Sequence, residues 1–185
     1  WSNAPKDYKA FLSRLVRMTK LYDRLGYNYA KHIFDIRASF ATDGDKGEVV
    51  VTLETEGDAD IHYTLDGSEP NTASPKYEAP LRIKENVEIK AVAIRPTGNS
   101  RIFSEKIDFN KATAKPVTLR VTPSKGYDFN GGPELTDGLS GNDNYKTGRW
   151  LGFQGKDVDA VIDLKEPTEF SRVAFNTNVV KGDWI

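Results

Sequence analysis

The hydrophobic pattern changes twice along this chain. From Lys6 to Leu25, the residues Phe11, Leu15, Met18, Tyr22 and Leu25 follow one another at spacings of 4, 3, 4 and 3. This single stripe has a 3.6-residue period and predicts an amphipathic helix. Leu12 and Val16 widen it, so the helix needs a broad partner surface. Ser2 and Asn3 are candidate N-caps, Pro5 suits a first helical turn, and Gly26 is a C-terminal stop. An isolated helix of this length is marginal in water, so it is expected to pack on the following segment or on a surface supplied by another part of the protein.

Beyond it the period drops to two. Strands are predicted at Ile33–Ile36, Glu48–Glu54, Ile61–Leu65, Leu81–Ile83, Val87–Ile94 and Phe103–Phe109. Turn signals separate them at Asp43-Gly44-Asp45, Glu56-Gly57-Asp58, Asp66-Gly67-Ser68 and Pro96-Thr97-Gly98-Asn99. Several short strands at such regular spacing indicate an all-β sandwich of immunoglobulin or fibronectin type over residues 33–114. A third segment, 115–185, starts where Pro116 pushes Lys115 out of helical space. Its predicted strands are Val117–Val121, Val158–Leu164 and Ser171–Val180, with Gly-rich turns between. The fold class expected is therefore mainly β, an N-terminal helix (1–32) followed by two β segments.

Composition narrows the functional classes. The 185 residues carry 26 Lys and Arg against 27 Asp and Glu, a net charge of −1 that argues against a general nucleic-acid or acidic-membrane binder. No apolar run approaches the ~20 residues of a membrane-spanning helix. The absence of cysteine removes disulfides, thiolate metal sites and Cys nucleophiles. The charge is uneven: residues 1–36 hold 7 basic and 3 acidic side chains, 37–114 hold 10 and 14, and 115–185 hold 9 and 10.

Candidate chemistry is sparse. His62 alternates with Ile61 and Tyr63, which makes it an edge or outward residue or, if partners converge on it, a ligand; the first is favoured because no second His or carboxylate sits at ligand spacing. The paired acids Asp43/Asp45, Glu54/Glu56, Asp58/Asp60 and Asp157/Asp159 alternate, the pattern of solvated strand edges rather than of a glycosidase pair facing one cleft. Trp150, Phe153 and Trp184 could stack on sugar rings, with core packing the favoured role for Trp150. No catalytic residue is assigned.

Three stretches resemble known families. The run Ile61-His-Tyr-Thr-Leu-Asp-Gly-Ser-Glu-Pro70, then Ser74-Pro75-Lys76-Tyr77, Ala79-Pro80-Leu81, Val87–Ala93 and Gly98…Ser100, resembles the C-terminal immunoglobulin-like domain of chitobiases and β-hexosaminidases. In it, Asp66-Gly67 turns the hairpin, the prolines order the crossover and Tyr77 plugs the sheet. Trp1-Ser2, Lys6-Asp7-Tyr8…Phe11…Arg14-Leu15 and Leu25-Gly-Tyr-Asn-Tyr29 resemble the end of a family 20 glycoside hydrolase barrel. That resemblance implies that Trp1 helps line the pocket gripping an N-acetylated sugar, and that 1–32 is the last helix of a barrel whose catalytic Asp-Glu pair lies outside this sequence. Leu135-Thr-Asp-Gly138, Trp150 and Val161-Ile-Asp-Leu164 resemble the first half of a discoidin-type (coagulation factor 5/8 type C) module. Asp137 matches the position where a calcium ion, the one cofactor implied, sits in sugar-binding relatives; as a plain turn residue it needs no metal, and that reading is favoured.

Together these resemblances imply a fragment of a longer protein: the non-catalytic C-terminal accessory region of a β-N-acetylhexosaminidase, itself a glycosidase of carbohydrate metabolism. The implied partners are a glycan reached through the parent enzyme and the absent barrel, and the implied location is secreted or periplasmic. A free-standing carbohydrate-binding or adhesion module and a structural spacer without ligand are the alternatives.

Overall fold

A computed structural model describes residues 7–178. The chain is mainly β, with one helix at its N-terminal end and antiparallel sheets after it, the element set of a fibronectin-type β-sandwich. The helix, α1, runs Tyr8–Leu25. Ser2, Asn3 and Pro5 lie outside the described residues, and the N-cap is Asp7, whose carboxylate accepts from the Ala10 N–H at 2.9 Å. At the other end Gly26 takes the left-handed conformation (φ 71°). The Gly26 and Tyr27 N–H groups then close onto the Asp23 and Tyr22 carbonyls, a complete Schellman cap.

The covered face of α1 is offset from the predicted stripe. Thr19 is buried, and Leu12, Leu15, Val16, Tyr22 and Asp23 are partly covered, whereas Phe11, Met18 and Leu25, one heptad row, are 48%, 50% and 54% exposed. The helix lies close to Gly57: a Cβ there would lie 3.3 Å from Val16 Cγ1 and 3.6 Å from the Phe34 ring, and its φ of +72° also favours glycine.

Ile33–Ile36 is not a strand. His32–Phe34 forms a single 3₁₀ turn, because the Phe34 and Asp35 N–H groups bond back to Lys31 and His32 and the Asp35 carboxylate is held by Arg101. The strand begins later, as β1 (Arg37–Asp43), followed by β2 (Glu48–Glu54), β3 (Asp60–Thr64), β4 (Leu81–Ile83), β5 (Val87–Ile94) and β6 (Phe103–Ile107). One sheet has the order β1-β2-β4, with Val49 opposite Ile83 and Val51 opposite Leu81. The other has the order β3-β5-β6, with Ile61 opposite Ala93 and Tyr63 opposite Ala91. Burial follows the pleat: Val49, Val51 and Leu53 on β2 and Ile89, Ala91 and Ala93 on β5 are 3% exposed or less.

By compactness the chain divides into two units. The first comprises the chain up to Ala38, Leu53–Ala79 and Ile89–Glu105, and the second comprises Ser39–Thr52, Pro80–Glu88 and the chain from Lys106 onward. In the second, β7 (Val117–Leu119) pairs antiparallel with β8 (Ala160–Ile162), both shorter than predicted, and residues 171–178 form no strand. The rest of the predicted Ser171–Val180 strand lies outside the described residues. Phe170, Val173 and Phe175 are 60%, 76% and 84% exposed.

Tyr77, half-buried, bridges two strands within the first unit. Its N–H bonds to the Ile61 carbonyl at 2.8 Å, and its hydroxyl accepts from the Leu53 N–H at 3.1 Å. Leu53 is 3% exposed, so no water replaces that acceptor readily. Tyr77→Phe is expected to lower stability by about 1–2 kcal/mol, the cost of stranding one buried donor. Urea denaturation measures it, and an unchanged midpoint would show that the bond contributes nothing.

Candidate functional site

Two places collect polar chemistry, one in each unit. The first is built where Lys31–Asp35, the end of β5 and the turn after it meet. Arg95 follows β5 in the same inward phase as Ile89, Ala91 and Ala93, so its side chain enters the unit instead of leaving it. The guanidinium lies over the Phe34 ring at 4.7 Å, a cation–π contact. Its Nη2 donates to Thr55 Oγ1 (2.6 Å) and to the Glu56 carbonyl (2.8 Å), and the Thr55 hydroxyl donates onward to the Phe34 carbonyl at 2.8 Å. Nε and Nη1 are buried without an acceptor. Burial lowers the pKa of the guanidinium from its ordinary value, against the opposing field of Asp35. Beside it lies a cavity of about 130 Å³ lined by Lys31, Asp35, Arg95, Thr97, Asn99 and Arg101 among others.

Asp35 is committed elsewhere in that wall. Arg101 approaches its carboxylate at 2.6 Å and also donates its backbone N–H, while His32 Nδ1 stands 3.3 Å away. Burial alone would push this carboxyl up, but the Arg101 and His32 hydrogen bonds outweigh it and hold the group below the usual carboxylate range.

The second place lies in the second unit, around the Leu135-Thr-Asp-Gly138 turn. Gly138 (φ +76°) packs so closely that a Cβ would sit 3.0 Å from Ile107 Cγ2, and its carbonyl accepts from the Asp108 N–H. Asp137 Oδ1 accepts from the Leu139 N–H at 2.8 Å, the bond of a turn-forming aspartate. Burial pushes its pKa up, the Leu139 bond opposes this, and the Glu134 charge adds to the rise; the result is about 6. Further along is a polar hollow of about 290 Å³ lined by Gly141, Asn142, Asp143, Trp150, Asn176, Thr177 and Asn178. Trp150 Nε1 and Asn178 Nδ2 both donate to the Asn142 carbonyl, at 2.8 and 3.1 Å. One side of the indole is flush against Gly141, where a Cβ would come within 2.2 Å of the ring. Trp150 is thus half-buried, a wall of the hollow and not a core residue.

Of the residues singled out in the sequence, Trp1 lies outside the described ones. Asp137 makes the turn bond to Leu139, and among the described residues no group of three His, Cys, Asp or Glu side chains that could hold a metal ion occurs. His62 Nδ1 lies 2.8 Å from the Ser74 carbonyl oxygen, an edge contact. The acidic pairs hold cations: Asp43 with Lys46, Glu56 with Arg37, Asp58 with Lys20 and Asp60 with Lys76. Sequence reasoning missed Arg95, reading its surroundings only as a turn. The signal was present, since the next position in the buried phase of β5 is an arginine.

The fold is that of a mainly β protein with a fibronectin-like module. The family model described as Fn3 associated matches residues 51–107, the stretch that contains β3 to β6 and the whole motif from Ile61 to Ser100. No curated protein matches the chain.

The Asp137 carboxylate gives a pH test. Its folded pKa lies above that of an unfolded aspartate, so the folded state binds the extra proton between about pH 4 and 6. The contribution of this group to stability is therefore greatest at low pH and falls as pH rises through that window. Asp137→Asn keeps the Oδ1 acceptor for Leu139 and removes the buried charge. It should stabilise the protein by about 1–2 kcal/mol at neutral pH, with the gain vanishing near pH 4. Thermal melts of both proteins across that range read it, and a pH-independent difference would refute it.

Proposed function

We propose that this chain is a non-catalytic C-terminal accessory region of a β-N-acetylhexosaminidase, the parent enzyme removing terminal N-acetylhexosamine residues from glycans. The observation that carries this is the coincidence of the Fn3-associated match at 51–107 with the motif that resembles the immunoglobulin-like domain of those enzymes. In this reading, 1–32 is the last barrel helix, 33–114 the sandwich and 115–185 a partial discoidin-like module. Trp1 would belong to the sugar pocket of the barrel, and the parent would act outside the cell or in a periplasm. The exposed row Phe11, Met18 and Leu25 is what a helix missing its main partner leaves open. Such an enzyme needs a neighbouring Asp and Glu, and no Asp-Glu dipeptide occurs in these 185 residues. The purified chain should therefore give no turnover of a chromogenic N-acetylglucosaminide. Hydrolysis that persists after contaminating enzymes are removed would overturn the accessory reading. The surrounding open reading frame separates it from the adhesion alternative: an Asp-Glu pair at a barrel strand end supports the enzyme, a second sandwich supports adhesion.

The Trp150 hollow favours a second, compatible role as a carbohydrate site. Asn142, Asn176 and Asn178 bring amide groups that can both donate to and accept from sugar hydroxyls, beside an indole wall. Titration with N-acetylglucosamine or galactose should give saturable NMR shifts at Asn142 and the Trp150 indole with a Kd on the order of 1 mM, and Trp150→Ala should abolish them. Absence of saturation would leave the spacer reading.

A further inference from the structure

We propose that the cavity beside Arg95 binds a single carboxylate group carried by a small molecule. Among the described residues, Nε and Nη1 of Arg95 are the buried side-chain nitrogens left without an acceptor. A buried cation with open donors is costly unless an acceptor, preferably an anionic one, completes it. The chain's own candidates are already engaged. Glu56 lends Arg95 only its carbonyl, because its carboxylate holds Arg37 at 2.6 Å. Asp35, across the cavity, is held by Arg101 at 2.6 Å. Lys31, on the same wall, has Asp23 at 3.8 Å and donates to the Thr97 carbonyl. Two of the three cations lining the cavity thus have a carboxylate of their own, and Arg95 does not.

Charge and size then select the ligand class. One uncompensated positive charge matches a monoanion and under-serves a phosphate dianion. A cavity of about 130 Å³ is close in size to the roughly 150 Å³ that takes up a benzene, so it holds a carboxylate with a few further heavy atoms. A carboxylate is planar and meets guanidinium donors with charge-assisted hydrogen bonds. Both nitrogens are shielded from solvent, so contact with them requires part of the cavity wall to give way. Gly98 in that wall is at φ +120° with no atom within 4 Å of a Cβ built there.

The test uses the full chain, labelled at arginine side chains and backbone amides, titrated with acetate at constant ionic strength. The Arg95 Nε–H and Gly98 amide signals should shift saturably with a Kd on the order of 1 mM, and phosphate should bind about tenfold more weakly. Arg95→Lys keeps the charge but loses the open donors, and should lose saturation. The Arg95 Nε–H signal of the unmodified chain reads binding directly if that variant fails to fold. Absence of saturation, equal binding of phosphate, the same shifts with chloride alone, or acetate binding retained by a folded Arg95→Lys protein would each overturn the proposal.

Discussion

The first compact unit depends on one contact set, the guanidinium of Arg95 lying on the Phe34 ring while its Nη2 bonds to Thr55 and Glu56. Three segments far apart in sequence meet there: the turn after the helix, the end of β2 and the end of β5. The Thr55 hydroxyl, accepting from Arg95 and donating to the Phe34 carbonyl, links all three through one oxygen. Because Phe34 also faces Gly57, and Gly57 faces Val16 of α1, the placement of the helix follows from the same set. A larger residue at 57 would push on both neighbours at once.

This explains why the covered face of α1 is not the face with the largest side chains. The helix approaches through Val16 and buries Thr19, whose hydroxyl satisfies itself on the Val16 carbonyl at 2.8 Å. Tyr22 and Tyr29 then meet at 5.6 Å with their rings tilted by 55°, and the Tyr29 hydroxyl donates to Asp23. Burial, with the nearby Asp23 carboxylate, raises the pKa of that phenol. Periodicity identifies the element correctly but cannot identify which of two adjacent apolar rows is covered. Both rows satisfy a 3.6-residue repeat, and the covered one is the row whose Val16 lies against Gly57.

The same division between pattern and context runs through the strands. β2, β4 and β5 begin and end where alternation alone places them, because one face of each is buried and a shift by one residue would expose it. β1 was not legible, since Arg37-Ala-Ser-Phe-Ala-Thr-Asp offers a single large apolar residue and lies at the edge of its sheet, where pairing and not burial holds it. Ile33–Ile36 failed in the opposite direction: four residues of apparent strand character were turned by the local bonds of Asp35. The site residue at Arg95 was hidden for a related reason. A charge standing in the buried phase of a strand reads as the end of that strand until the structure shows an aromatic ring and a hydroxyl waiting for it.

One stretch of the second unit shows what happens when regular pairing is scarce. Between Leu119 and Ala160 no strand occurs among the described residues, and the backbone relies on short-range side-chain acceptors instead. Asp137 caps Leu139, Asn142 caps Asn144 and Asn144 caps Lys146. Such Asx-type bonds satisfy donors locally and bury little apolar surface. Fully burying a large apolar side chain yields about 1.5–3 kcal/mol, so Phe170, Val173 and Phe175 forgo most of that gain in their exposed positions. The amide-rich hollow beside Trp150 is a product of the same economy. Where a chain is held by polar side chains rather than by a packed core, some of those groups end at the surface with hydrogen-bonding capacity to spare, and a ligand rich in hydroxyls is the kind of molecule that can use it.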